Sequence, residues 1–129
     1  MKKRQSGVLM HISSLPGKYG IGSFGQSAYD FVDFLVRTKQ RYWQILPLGT
    51  TSYGDSPYQS FSAFAGNTYF IDFDILIEEG LLNEADVKRA DFGDDPRKVD
   101  YAKIFDARRP IMEKAVAHFL KADDLSDYE

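Results

Sequence analysis

Asp72 and Asp74 are two carboxylates one residue apart, the kind of pairing that acid and base work on a glycoside uses. They sit where a short apolar stretch over residues 68–72 gives way to a helical pattern, and there an acidic side chain has a simpler task. Asp74 is expected to cap a small helix that stops at Gly80. The two histidines, His11 and His118, lie in an apolar run and in a late helical run, too far apart and too unlike in setting to share a metal, and both are read as structural. No Ser-His-Asp grouping, phosphate loop or His-Glu-x-x-His stretch occurs. Gly20-Ile-Gly22-Ser-Phe-Gly25 matches the dinucleotide pattern G-x-G-x-x-G, but without its context. The glycines do not follow the preceding apolar run at once, and residues 34–53 hold no Asp or Glu for a ribose, so a glycine-rich connection is expected instead.

The strongest chemical signal is residues 54–67, Gly-Asp-Ser-Pro-Tyr-Gln-Ser-Phe-Ser-Ala-Phe-Ala-Gly-Asn. The stretch sets Tyr58, Phe61 and Phe64 among Ser56, Gln59, Ser60 and Ser62, with Tyr53 just before it and Gly54, Pro57 and Gly66 as turn formers. A sugar presents apolar C–H faces and a rim of hydroxyls, so flat rings beside short polar groups suit it. A loop folded back on its own aromatics has the same composition, and that alternative stays open.

Elements to position this loop are legible on either side. Residues 7–12, Gly-Val-Leu-Met-His-Ile, and 42–46, Tyr-Trp-Gln-Ile-Leu, are short apolar runs that read as strands buried on both faces, with Trp43 in the core. Between them Ala28, Phe31, Val32, Leu35 and Val36 recur at helical spacing, which predicts an amphipathic helix over about residues 26–39. Strand, helix, strand at this spacing is a βαβ unit with parallel strands. Residues 68–72 are expected to add a third, shorter strand, and Asn83 to cap a short helical turn. The charged residues 91–98 read as a surface connection. Asp100 then caps a helix with an apolar stripe of Ile104, Ile111, Met112, Ala115, Phe119 and Leu120, which Pro110 is expected to kink or divide.

Composition narrows the partners. The chain has 129 residues, 43% of them hydrophobic, with a net charge of -3 and a pI near 5.4, so nucleic acid and anionic membranes find no basic face. No apolar run approaches a membrane span, no signal peptide is visible, and without cysteine there is neither a disulfide scaffold nor a thiolate metal site. A cytoplasmic protein is expected, with no cofactor and no metal. Ser126-Asp-Tyr-Glu129 matches a capping box with no helix left to open, and a βαβ start needs more strands to bury its sheet, so the chain reads as the N-terminal part of something longer. A frayed polar tail explains the same four residues.

Residues 7–17, Gly-Val-Leu-Met-His-Ile-Ser-Ser-Leu-Pro-Gly, residues 41–49, Arg-Tyr-Trp-Gln-Ile-Leu-Pro-Leu-Gly, and residues 54–67 together closely resemble the start of the 4-alpha-glucanotransferases, the amylomaltase or disproportionating-enzyme family. The likeness covers about residues 6–82 well and the remainder loosely. It implies an α/β chain that forms the N-terminal part of a (β/α)8 barrel related to that of alpha-amylases. Residues 1–82 would start the barrel, with two strands, a helix and a substrate loop, and 83–129 would be a helical insert or subdomain. The implied activity moves a segment of an α-1,4-glucan to the 4-hydroxyl of another glucan or of glucose, with retention through a glucosyl-aspartate.

The family's reactive carboxylates lie on later strands, so the resemblance carries no catalytic residue onto this chain. A barrel needs about 250 residues, and the chain alone is expected to be inactive. Substrate-binding residues do carry over. Tyr58 matches a tyrosine lining the sugar channel, Ser56 a position facing the glucan, and Tyr53 an aromatic of a more distant groove whose possible partner is Phe105. Asp55 and Gln59 are further candidates on the same loop, Asp55 also suiting a turn cap before Pro57. Two rivals remain: a self-contained module that binds maltodextrin without chemistry, and a structural domain that binds no sugar.

Overall fold

The computed structural model describes residues 4–51, 56–60, 62 and 64–121. By compactness the chain separates into two units, residues 1–71 and 72–129.

The first unit is a βαβ motif. Strand β1 (Gly7–Leu9) leads through a 3-10 turn (Ile12–Ser14) and a glycine-rich connection to helix α1 (Gln26–Arg37), which returns the chain to strand β2 (Tyr42–Gln44). The strands are parallel, with Gly7 opposite Tyr42, Val8 opposite Trp43 and Leu9 opposite Gln44, as the crossover helix requires. Both strands are shorter than the apolar runs suggested: β2 ends at Gln44, and after β1 the chain enters the turn at Ile12.

The strands are also not buried on both faces. Val8 and Trp43 are half-buried, with Trp43 in edge contact with Phe31 of α1 at 4.9 Å, while Leu9 and Tyr42 on alternate positions are 58% and 60% exposed. Alternation explains this: successive side chains point to opposite faces, and α1 covers only one of them. Trp43 ties the ladder further by donating its indole N–H to the Met10 carbonyl at 2.7 Å. Of the stripe expected on α1, Ala28 and Leu35 are buried and Phe31 is half-buried, whereas Val32 and Val36 face solvent beside Tyr29. Buried Ile12, Leu15, Ile21 and Phe70 complete the core of this unit.

The third strand expected over residues 68–72 is instead a 3-10 turn, Thr68–Phe70, opened by Asn67, whose side-chain oxygen accepts the Tyr69 N–H at 3.0 Å. A local acceptor at Asn67 offers the backbone an alternative to a ladder.

The second unit is helical: α2 (Phe73–Glu78), α3 (Glu84–Lys88) and α4 (Tyr101–Phe119). Asp72, not Asp74, caps α2, its carboxylate accepting from the N–H groups of Asp74 at 2.9 Å and Ile75 at 3.4 Å. The helix starts two residues earlier than a cap at Asp74 implies, and Phe73, fully buried, occupies its first turn. Gly80 ends the segment with φ +76, a conformation glycine adopts without strain. Asn83 opens α3 by donating its N–H to the Asp86 carboxylate at 3.0 Å, and Asp100 caps α4 by accepting the Lys103 N–H at 3.1 Å.

Pro110 does not divide α4, which runs as one helix from Tyr101 to Phe119. The proline ring lies on the exposed face, and Ile104, Arg108, Ile111 and Ala115 form a buried stripe that crosses its position, so tertiary packing outweighs one missing N–H donor. Arg108 belongs to that stripe through its guanidinium, stacked 4.1 Å from the centroid of the Phe73 ring. Lys114 of α4 reaches Asp86 of α3 at 2.9 Å, and this ammonium, together with the Asn83 N–H, holds the Asp86 carboxyl below its usual range.

Candidate functional site

Two backbone ties close the segment that carries the candidate residues. The Asn67 N–H donates to the Leu48 carbonyl at 2.8 Å, and Gly49 pairs with Gly66 in an antiparallel bridge, so a long connection leaves and returns to the same place. A Cβ at Gly49 would lie 2.6 Å from the Ser60 hydroxyl oxygen, so any side chain there would oblige Ser60 to shift. The loop departs from the carboxyl end of β2, the end at which parallel α/β folds assemble their sites.

Inside the loop the hydroxyls shape the backbone. The Ser56 Oγ accepts the Tyr58 N–H at 3.4 Å, and the Ser56 carbonyl accepts the Gln59 N–H at 3.1 Å, forming the turn around Pro57. The Ser60 hydroxyl donates to the Ser62 carbonyl at 2.7 Å, and the Ser62 hydroxyl oxygen accepts from Phe64 and Ala65 N–H groups, each at 3.2 Å. These serines therefore act first as turn formers, a role the reading of the segment as a sugar surface had not given them. Accepting through oxygen leaves the O–H of Ser56 and of Ser62 able to donate elsewhere.

The described rings face outward. Tyr58 is 72% exposed and Phe64 fully exposed, and Gln59 is exposed beside them. Ser56 is half-buried. Tyr58, Gln59 and Ser56 thus stand together on one turn, whereas Tyr53 and Asp55 lie outside the described residues. Phe105, the suggested partner of Tyr53, is 54% exposed on α4.

Other sequence candidates are absorbed by the fold. A Cβ on Gly22 would lie 2.0 Å from the Ile12 carbonyl oxygen, so the glycine-rich stretch is folded against its own backbone. The His118 Nδ1 meets the Leu81 carbonyl at 2.8 Å and thereby joins α4 to the segment after α2. His11 is buried, its Nδ1 accepting the Leu46 N–H at 3.3 Å, and burial lowers its pKa from 6.5. Among the described residues no cluster of three or more His, Cys, Asp or Glu is arranged to hold a metal ion.

Residues 10–129 match the family model described as 4-alpha-glucanotransferase. The chain belongs to the 4-alpha-glucanotransferase family. A 4-alpha-glucanotransferase of Streptococcus pneumoniae serotype 4 is 77% identical over 129 residues, covering all of this chain and 26% of that protein. One from Clostridium butyricum is 61% identical over 117 residues, covering 91% of this chain and 24% of its own length. Among solved structures, amylomaltase from Streptococcus agalactiae in complex with acarbose superposes with a TM-score of 0.91 at 64% identity, over 94% of this chain and 24% of that one. The chain thus spans about a quarter of the length of the 4-alpha-glucanotransferases it matches.

Proposed function

We propose that this chain is the N-terminal part of the (β/α)8 barrel of a cytoplasmic 4-alpha-glucanotransferase, and that its tyrosine loop forms one wall of the channel for linear α-1,4-glucans. Residues 1–82 then supply the first two barrel strands, the helix between them and the loop, and 83–129 a helical insert. The observation that carries this reading is the outward Tyr58 ring on a loop tied at Leu48 and Asn67, at the carboxyl end of a parallel strand, in a chain of this family.

The chemistry divides accordingly. The Tyr58 ring offers a flat face for the C–H surface of a glucose unit, and the Ser56 and Gln59 side chains offer hydrogen-bonding groups beside it for the hydroxyl rim. Tyr53 would serve a more distant stretch of the glucan, and Asp55 would steady the turn or reach a hydroxyl. Nucleophile and acid/base belong to polypeptide outside this chain, so these residues bind and orient the glucan while proton and glucosyl transfer happen elsewhere. No cofactor enters this scheme.

Incubation with maltotriose tests it. The chain extended by the following three quarters of a family-length polypeptide should release glucose and longer maltodextrins, and the chain as given should release neither. Turnover by the 129-residue chain alone would show that the reacting groups have been misplaced.

A further inference from the structure

The loop that carries Tyr58 has two roots, and one imidazole touches both. On the outgoing side, the His11 Nδ1 accepts the N–H of Leu46, the residue before Pro47. On the returning side, the His11 ring meets the Phe70 ring edge-on, with centroids 5.3 Å apart and planes at 86°. Phe70 is itself held: only 4% of it is exposed, its carbonyl accepts the Phe24 N–H at 2.9 Å, and the Phe24 ring lies against it at 6.2 Å. His11 stands just past the end of β1, so it refers both roots to the strand ladder.

We propose that His11 is a positioning residue for the glucan-contacting loop: by joining the Leu46 N–H and the Phe70 ring it fixes the span between them, and with it the height of Tyr58 over the sugar channel. The inference rests on the glucanotransferase reading for its consequence, but not for its geometry. A backbone N–H only donates, so the Nδ1 of His11 must be unprotonated and the proton of the neutral ring sits on Nε2. Burial favours that neutral form. Among the described residues between the roots, none belongs to a strand or helix before Thr68, apart from the Gly49–Gly66 bridge, so the placement of the loop depends on its ends.

The test uses the extended polypeptide with His11→Leu, which removes the acceptor, and His11→Asn, which returns an acceptor oxygen to the same Cγ. Wild type should show an Nδ1 of acceptor type by long-range 15N NMR. His11→Leu should raise the KM for maltotriose roughly tenfold, about what one lost hydrogen bond is worth, with kcat changed by less than about twofold. His11→Asn should recover most of that loss. The proposal is overturned if His11→Asn behaves like His11→Leu, or if kcat falls while KM stays constant. Amide hydrogen exchange keeps it decidable if His11→Leu does not fold or wild type shows no transfer, the latter sinking the functional reading instead. In either case Leu46 and Asn67 amides well protected in wild type and in His11→Asn support the clamp, and amides exchanging freely in wild type refute it.

Discussion

Gly22 lies against Ile12 so closely that a Cβ on the glycine would stand 2.0 Å from the Ile12 carbonyl oxygen and 2.7 Å from that of Leu15. The contact folds the glycine-rich connection back onto the turn that ends β1 and delivers the chain to α1. It also explains why a G-x-G-x-x-G spelling here serves packing: the space a pyrophosphate would need is filled by the protein's own backbone.

Gly22→Ala should therefore destabilise the fold by about 2–3 kcal/mol, since neither carbonyl can yield without moving the turn. Gly66→Ala, where a Cβ meets nothing within 4 Å, should change stability by no more than about 0.5 kcal/mol. Urea denaturation of the two variants, followed by circular dichroism, measures the difference.

Pro110→Ala restores a backbone donor in the middle of α4 at an exposed position, without touching the buried stripe of Ile104, Arg108, Ile111 and Ala115. The expected outcome is a gain of up to about 3 kcal/mol in the stability of the second unit, read as a higher denaturant midpoint with an unchanged slope. A loss would mean that the proline is accommodated by more than packing.

The strand–helix–strand order, the parallel pairing and the caps at Asn83 and Asp100 were legible because each rests on local spacing or on one residue type at one position. Arg108 was not. A charge four residues after Ile104 reads as a gap in the apolar stripe, and only the fold shows its guanidinium lying on Phe73. That α4 continues past Pro110 as one helix was likewise not legible, because a local breaker rule carries no knowledge of the packing that overrides it. In the loop, residue types announced a binding surface, yet Ser56, Ser60 and Ser62 spend hydrogen bonds on their own turns, which composition cannot reveal.

His11 gives the fold a pH dependence of known sign. Its pKa is lowered in the native state by burial, so the unfolded chain takes up the proton first as pH falls below 6.5. The stability it supports is fully present above 6.5 and declines as pH drops toward the native-state pKa, where the decline levels off. The groups it meets at the loop roots, the Leu46 N–H and the Phe70 ring, do not titrate, so His11→Asn should flatten this part of the profile. Denaturant midpoints between about pH 7.5 and 5 for wild type and variant compare the two slopes.

The measurement that bears most directly on the glucan channel is kcat/KM for maltotriose in the extended polypeptide with Tyr58→Ala. Loss of ring stacking at one sugar subsite should lower it by about 1 to 3 kcal/mol in transition-state terms, roughly 5- to 150-fold, while the melting temperature stays near wild type because Tyr58 is 72% exposed. An unchanged kcat/KM would contradict the assignment of this loop to the glucan.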